Sequence, residues 1–242
     1  MKGLLHIYDD AGSLAEGVAG MVIELLTSSV DRHGNASFVL SGGGTPRRVY
    51  DILGSEEQRG RVPWSRVQIF WGDERCVGPN LPESNYRMAH EAFLQRVAIP
   101  PANIHRIQGE KPPQEAARLY EAEVRHALQV REGEFPRFTV LLLGLGPDGH
   151  TASLFPGTLA LKERKRIVTE VYVESLKASR ITLSIPAINN AADVLFLISG
   201  RSKSEMLGRI LLDEGPLYPA QFIDPTNGRL HWCIDREASL HT

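Results

Sequence analysis

Short apolar runs rich in β-branched residues recur at positions 4–8, 37–40, 67–71, 138–143, 167–173, 181–185 and 194–198. Each has the length of a strand. Between several of them the apolar positions change period. Leu14, Val18, Met21 and Leu25 fall at helical spacing, as do Ala116, Leu119, Tyr120, Val124 and Leu128, and later Met206, Ile210 and Leu211. Strands alternating with helices predict an α/β fold whose sheet is mostly parallel and covered on both faces. The run "FTVLLLGLG" is apolar without alternation, as a central strand buried on both sides requires. The softest segments, "EKPPQ" at 110–114 and "REGEFPR" at 131–137, read as loops rather than boundaries, because regular patterns resume at once. A single domain over 1–242 is expected, with an extra subdomain built from the middle of the chain as the alternative.

In open α/β sheets, ligands bind beyond the carboxyl ends of the strands. Four polar, glycine-bearing segments follow predicted strands: "SGGGTP", "GDER", "GLGPDGH" and "SGRSK". The chemistry of the chain is therefore expected at one rim.

Composition narrows the partners. The chain has 242 residues and a formal net charge of -2, so it has no electrostatic footprint for nucleic acid or an anionic membrane. Cys76 and Cys233 are too few for a disulfide framework or a zinc ribbon, and a reducing cytoplasm is the expected setting. The N-terminal apolar run is too short for a signal peptide, and no stretch is expected to reach the ~20 apolar residues of a membrane span. Nothing in the composition decides between monomer and homodimer.

"FVLSGGGTPRRVYDIL" reads as a strand, a glycine turn at Gly42, Gly43 and Gly44, and a helix with Pro46 at its first position. Glycines let backbone N–H groups converge on an anion at a helix start, and Ser41 and Thr45 add hydroxyls. No lysine follows, so this is not a nucleoside-triphosphate loop. A tight turn with a capped helix is the plainer alternative. Lys203 follows Gly200 on the same rim, although a lysine there could equally be solvated. Ser41 lacks the GxSxG context of a nucleophile elbow and is read as a phosphate or sugar contact.

"GLGPDGH" contains GxGxxG at Gly144, Gly146 and Gly149. A dinucleotide turn belongs in the first βα unit, with its acidic residue about twenty positions on. Here the acid, Asp148, lies inside the turn, where it would repel a pyrophosphate. Asp148 and His150 suit proton transfer better: imidazoles, titrating near 6.5 as a class, accept and return protons at neutral pH, and a neighbouring carboxylate can hold the tautomer. In "FWGDERCVGPNLPESNYRMAH", Asp73, Glu74 and Arg75 directly follow a strand, and Ser84-Asn85 reads as a helix cap. Either acid could pair with Arg75 or pin the long loop; Arg75 could instead face an oxyanion.

Together "SGGGTP", "WGDERCV…ESNYRMA", "GLGPDGHTASLFPG", "RITLSIPAINNAADVLFLISGRSK" and "YPAQFIDPTNGRLHWCIDREA" resemble, in order from about residue 37 to 238, the 6-phosphogluconolactonases of the pentose phosphate pathway. The resemblance implies a three-layer modified Rossmann-like fold shared with glucosamine-6-phosphate isomerase/deaminase. It also implies hydrolysis of 6-phospho-D-glucono-1,5-lactone to 6-phosphogluconate without metal or redox cofactor. By that resemblance His150 is the general base, Asp148 orients its ring, and Arg75 helps to stabilise negative charge. Ser41, Gly42, Gly43, Gly44, Thr45, Asp73, Arg180 and Lys203 are then the substrate and phosphate site. Two departures stand out. The family's loop more often reads SGGSTP, so Gly43-Gly44 here lacks a hydroxyl, and "CVGPNLPESN" lacks the histidine expected before Ser-Asn.

Two rivals remain. Amino-sugar-phosphate deaminase/isomerases carry a loop like DGHIAFNEP, whose Glu, five residues after the histidine, moves protons; here that position is Phe155. They also prefer DEY where this chain has Asp73-Glu74-Arg75. A sugar-phosphate sensor that binds without reacting would be expected to carry a DNA-binding helix-turn-helix and has no need of Asp148 and His150.

Overall fold

The structure, a computed structural model, describes residues 2–212 and 218–239. Six strands form one parallel sheet: β1 (Leu4–Tyr8), β2 (Ala36–Leu40), β3 (Val67–Trp71), β5 (Val140–Leu143), β8 (Asp193–Ile198) and β9 (Arg229–Asp235). Their spatial order is β1-β9-β8-β5-β2-β3. β2, β5 and β8 are buried along their whole length, which explains their mostly apolar sequences; the exceptions, Ser37 and Asp193, accept hydrogen bonds from the Thr139 N–H and the Arg229 side chain. Three further strands, β4 (Asp73–Arg75), β6 (Val168–Val173) and β7 (Ala178–Leu183), make a second, antiparallel sheet in the order β4-β7-β6.

The helices follow from caps and stripes. α1 (Ala11–His33) starts at Asp10, whose carboxylate accepts from the Ser13 N–H at 2.8 Å while Ser13 Oγ accepts from the Asp10 N–H. It ends at Gly34, which takes the left-handed φ of 78° that stops a helix. By length and composition α1 could cross a bilayer, contrary to the expectation that no stretch could. Its stripe of Leu14, Val18, Val22 and Leu26 is buried, and the helix packs on β1, β2, β9 and on α2 (Gly44–Leu53). α3 (Asn85–Ala89) runs on into a π-helical turn, His90–Leu94. α4 (Pro113–Ala127) covers β6 and β7, α5 (Ile185–Asn189) is a single turn, and α6 (Ser204–Leu211) follows β8.

The pattern read from sequence needs four corrections. The apolar runs at 167–173 and 181–185 leave the parallel sheet and pair with each other. The second run stops at Leu183, because Ser184 is the N-cap of α5, which has Pro186 in its first turn. The residues "DER" are themselves a strand rather than a loop. Pro46 is the third helical residue, because α2 begins at Gly44; proline is tolerated there because first-turn N–H groups have no intrahelical partner. The strand "RLHWCID" is not legible as one in the sequence, its short apolar run being broken by His231. That imidazole is buried because Asp193 Oδ1 meets its Nε2 at 2.9 Å, and Arg229 joins the same carboxylate at 2.7 Å.

Gly72 separates β3 from β4 and belongs to both sheets. Its N–H donates to the Leu40 carbonyl of β2 at 2.9 Å, and its carbonyl accepts from the Leu183 N–H of β7 at 2.8 Å.

Candidate active site

The loops after β2, β5 and β8, together with β4 and β7, enclose a cavity of about 400 Å³ at the carboxyl ends of the parallel strands. Ser41, Gly42, Gly43, Gly44, Thr45, Asp73, Arg75, His150, Arg180 and Lys203 all line it. Of the residues expected in the catalytic and substrate-binding site Asp148 alone is not on the wall; it bonds to His150, which is.

Two glycines of the first loop are required, each for a different reason, and the third is not. A Cβ on Gly42 would lie 2.1 Å from Asn85 Oδ1, so a side chain there is excluded by contact. Gly43 has φ 106°, a conformation that L side chains rarely adopt. Gly44 opens α2 and would meet nothing within 4 Å, so it is sterically unconstrained. No side chain caps α2, which leaves its first-turn N–H groups without an internal partner at the cavity wall.

The loop after β5 folds back on itself. Gly146 N–H donates to the His150 carbonyl at 2.8 Å, and Thr151 Oγ1 donates to the Gly144 carbonyl at 2.9 Å. A Cβ at Gly146 would lie 2.1 Å from the His150 ring, and Gly149, with φ 77°, packs on Tyr218. Two of the three glycines of the GxGxxG therefore make room for protein side chains, while Gly144 meets nothing. No helix follows β5 directly, so a dinucleotide turn has no helix start to rest on.

His150 Nδ1 lies 2.5 Å from Asp148 Oδ1. An ionised carboxylate only accepts, so this contact places the ring proton on Nδ1 and the lone pair on Nε2. Nε2 has no hydrogen-bond partner among the described residues. One face of the imidazole stacks on Phe155, ring centroids 4.0 Å apart.

Charge on the opposite wall comes from the small sheet. Arg75 and Arg180 are register partners across β4 and β7, which sets their Cβ atoms about 5 Å apart. Burial, and then the Arg75 charge, hold the Arg180 guanidinium below its ordinary pKa. Neither arginine pairs with Asp73 or Glu74 through its side chain; Arg75 Nη1 instead donates to the Glu83 carbonyl. Asp73 accepts from Ser153 Oγ at 2.7 Å. Glu74 pins the long loop. It accepts from the N–H groups of Arg75, Asn85 and Tyr86 and from Ser84 Oγ, all at 2.8–3.0 Å. Burial raises its pKa, and the three backbone N–H groups oppose the rise. Ser84 also caps α3 by accepting from the Arg87 N–H. This fixes Asn85, whose amide donates to the Asp73 carbonyl.

Asn85, Ser153 and Ser199 also line the cavity and were not expected there. In the sequence Asn85 reads only as part of a cap, and the two serines sit in loops whose composition says nothing of their direction. Among the described residues no group of three His, Cys, Asp or Glu side chains is placed to hold a metal ion.

Fold and site define an α/β enzyme whose reacting groups stand at the carboxyl rim of a parallel sheet. Residues 9–232 match the family described as glucosamine-6-phosphate isomerases/6-phosphogluconolactonase. A 6-phosphogluconolactonase of Synechocystis sp. is 42% identical over 228 residues, 93% of this chain and 92% of that protein. The solved 6-phosphogluconolactonase from Trypanosoma cruzi superposes with a TM-score of 0.86 at 28% identity, over 98% of this chain and 96% of that one. A monomeric glucosamine-6-phosphate deaminase shares the fold at TM-score 0.81 and 23% identity, covering the whole of both chains. The chain belongs to the glucosamine-6-phosphate isomerase/6-phosphogluconolactonase family, and its central sheet and flanking layers are the modified Rossmann-like arrangement of that family.

Proposed function

We propose that this chain is the lactone hydrolase of the pair, converting 6-phospho-D-glucono-1,5-lactone to 6-phosphogluconate in a cytoplasmic pentose phosphate pathway. The observation that carries the reading is His150 on the cavity wall, its Nδ1 tied to Asp148 and its Nε2 without a partner among the described residues. In this mechanism Nε2 removes a proton from water as the water oxygen attacks the lactone carbonyl carbon. The tetrahedral alkoxide collapses, the bond from that carbon to the ring oxygen breaks, and the imidazolium returns its proton to the departing oxygen. The product acid then ionises to solvent. Asp148 keeps the imidazole in the reactive tautomer throughout.

The phosphate is the remote handle that positions the carbonyl. The uncapped start of α2, Ser41 and Thr45 supply neutral donors, while Arg180 and Lys203 supply charge. Arg75 faces the developing oxyanion. Two guanidinium groups side by side repel each other unless an anion lies between them, which supports an anionic substrate at this wall.

Phe155 separates this reading from the deaminase/isomerase. A phenyl ring fills the position of the isomerases' proton-moving Glu and packs on the catalytic imidazole. The test is hydrolysis of freshly prepared lactone, followed as acid release against the spontaneous rate. Acceleration of the wild-type reaction is expected; tight binding of sugar phosphate without acceleration would make the protein a sensor.

A further inference from the structure

Ser199 stands on the cavity wall at the end of β8. Its Oγ donates to Asp235 Oδ2 at 2.5 Å. Asp235, at the end of neighbouring β9, is 2% exposed. It also accepts from the Gly200 N–H at 3.0 Å and the Ala238 N–H at 2.8 Å. A carboxylate so surrounded can only accept, and the single hydroxyl hydrogen of Ser199 is therefore spent on it. What Ser199 offers the cavity is lone pairs. Such a group repels a phosphate oxygen and attracts a hydroxyl hydrogen.

We propose that Ser199, oriented by Asp235, is a specificity-determining acceptor for one hydroxyl of the polyol part of the substrate. The proposal rests on the lactonase reading for the identity of that polyol. Its chemistry is opposite to that of Lys203, four residues on, which can only donate. Asp235 sets both. It holds Gly200, whose φ of 93° opens the turn Arg201–Lys203, and the Gly200 carbonyl accepts from the Lys203 N–H at 3.0 Å. One buried carboxylate thus places an anion reader and a hydroxyl reader side by side. Ser199 is a specificity residue, and Asp235 is a positioning residue that acts through it.

The test is calorimetric binding of 6-phosphogluconate and of three analogues lacking the hydroxyl at C2, C3 or C4, with inorganic phosphate as the control. Binding of the product requires no turnover, so a protein that binds but does not hydrolyse the lactone fails the proposed activity and not this proposal. In the wild type one analogue should bind roughly threefold to tenfold more weakly than the full polyol, the worth of one partly exposed hydrogen bond. Ser199→Ala should bring that ratio to about one and leave phosphate affinity unchanged. Asp235→Asn should do the same in a folded protein, because the new amide N–H₂ donates to Ser199 and turns its hydrogen towards the cavity. Unchanged ratios for all three analogues in Ser199→Ala would overturn the proposal, as would a weakened phosphate affinity in that variant or a wild type that binds no 6-phosphogluconate. Retention of the ratio in Asp235→Asn would remove Asp235 from the role of positioning residue.

Discussion

The imidazole of His150 lies against the ring of Phe155 with centroids 4.0 Å apart and planes inclined by 26°. The stack covers one face of the base, and the Asp148 contact fixes its edge. Phe155→Ala should therefore leave the protein folded while lowering kcat about threefold to tenfold, the worth of one aromatic contact in holding the ring. Equal kcat in the two proteins would show that Asp148 alone positions the imidazole.

Removal of the base has a larger effect. His150→Ala should lose about 10²–10⁴ in kcat with little change in KM, since general base catalysis acts in the transition state. Asp148→Asn should lower kcat by less, again at nearly constant KM. Steady-state kinetics of the two variants, corrected for spontaneous lactone opening, check both.

The facing arginines predict a linkage between ligand and stability. Inorganic phosphate at about 100 times its Kd should stabilise the fold by ~2.7 kcal/mol and raise Tm by about 5–10 °C. In Arg180→Ala the shift should shrink, because the repulsion with Arg75 that phosphate relieves is gone. Lys203→Ala should mainly raise KM. Thermal melts with and without phosphate, and KM values, are the measurements.

The glycine loop separates into constrained and free positions. Gly43→Ser should destabilise by about 1–2 kcal/mol because of its left-handed backbone, and Gly42→Ser should distort the loop against Asn85. Gly44→Ser meets open space, so it should fold at least as stably as the wild type and bind phosphate more tightly through its added hydroxyl. Denaturant melts and phosphate titrations rank the three.

A pH dependence is expected from the opposite end of the sheet. His6 Nε2 meets His231 Nδ1 at 3.1 Å, and His231 Nε2 meets Asp193. Burial and then the His231 charge lower the His6 pKa. That of Asp193 is also lowered, because the hydrogen bonds from His231 and Arg229 outweigh the effect of burial. A depressed folded-state pKa means that the unfolded chain binds more protons. The contribution of His6 is therefore present above about 6.5 and lost as pH falls through its lower folded value; that of Asp193 is lost later, below about 4. Tm should fall in two stages on acidification, and His6→Asn should remove the first. Asp193→Asn should cost about 2–4 kcal/mol at neutral pH by leaving His231 without its carboxylate.

Much of this was legible in the chain. Nearly continuous apolar runs marked β2, β5 and β8 because strands buried on both faces need few polar positions. The strand-end segments carried nine of the ten expected cavity residues because ligands collect at that rim; Arg180, inside β7, came only from the family resemblance. What escaped depended on partners far away in sequence. β9 looked broken at His231 because the carboxylate that neutralises its burial belongs to β8. β4 is too short and too charged to read as a strand; its partner, β7, lies over a hundred residues on. Ser199 and Ser153 are ordinary loop serines until Asp235 and Asp73 are seen to take their hydrogens.

Gly72 gives the site its mechanical character. One peptide ties the sheet that bears the glycine loop and His150 to the sheet that bears Arg75 and Arg180. With a single residue between β3 and β4, and that residue bonded on both sides, there is no hinge about which the arginine wall could swing. The distance from the arginine wall to the base is built in at folding rather than set by each arriving substrate. A substrate that reaches the base therefore meets the guanidinium groups already in place on the facing wall.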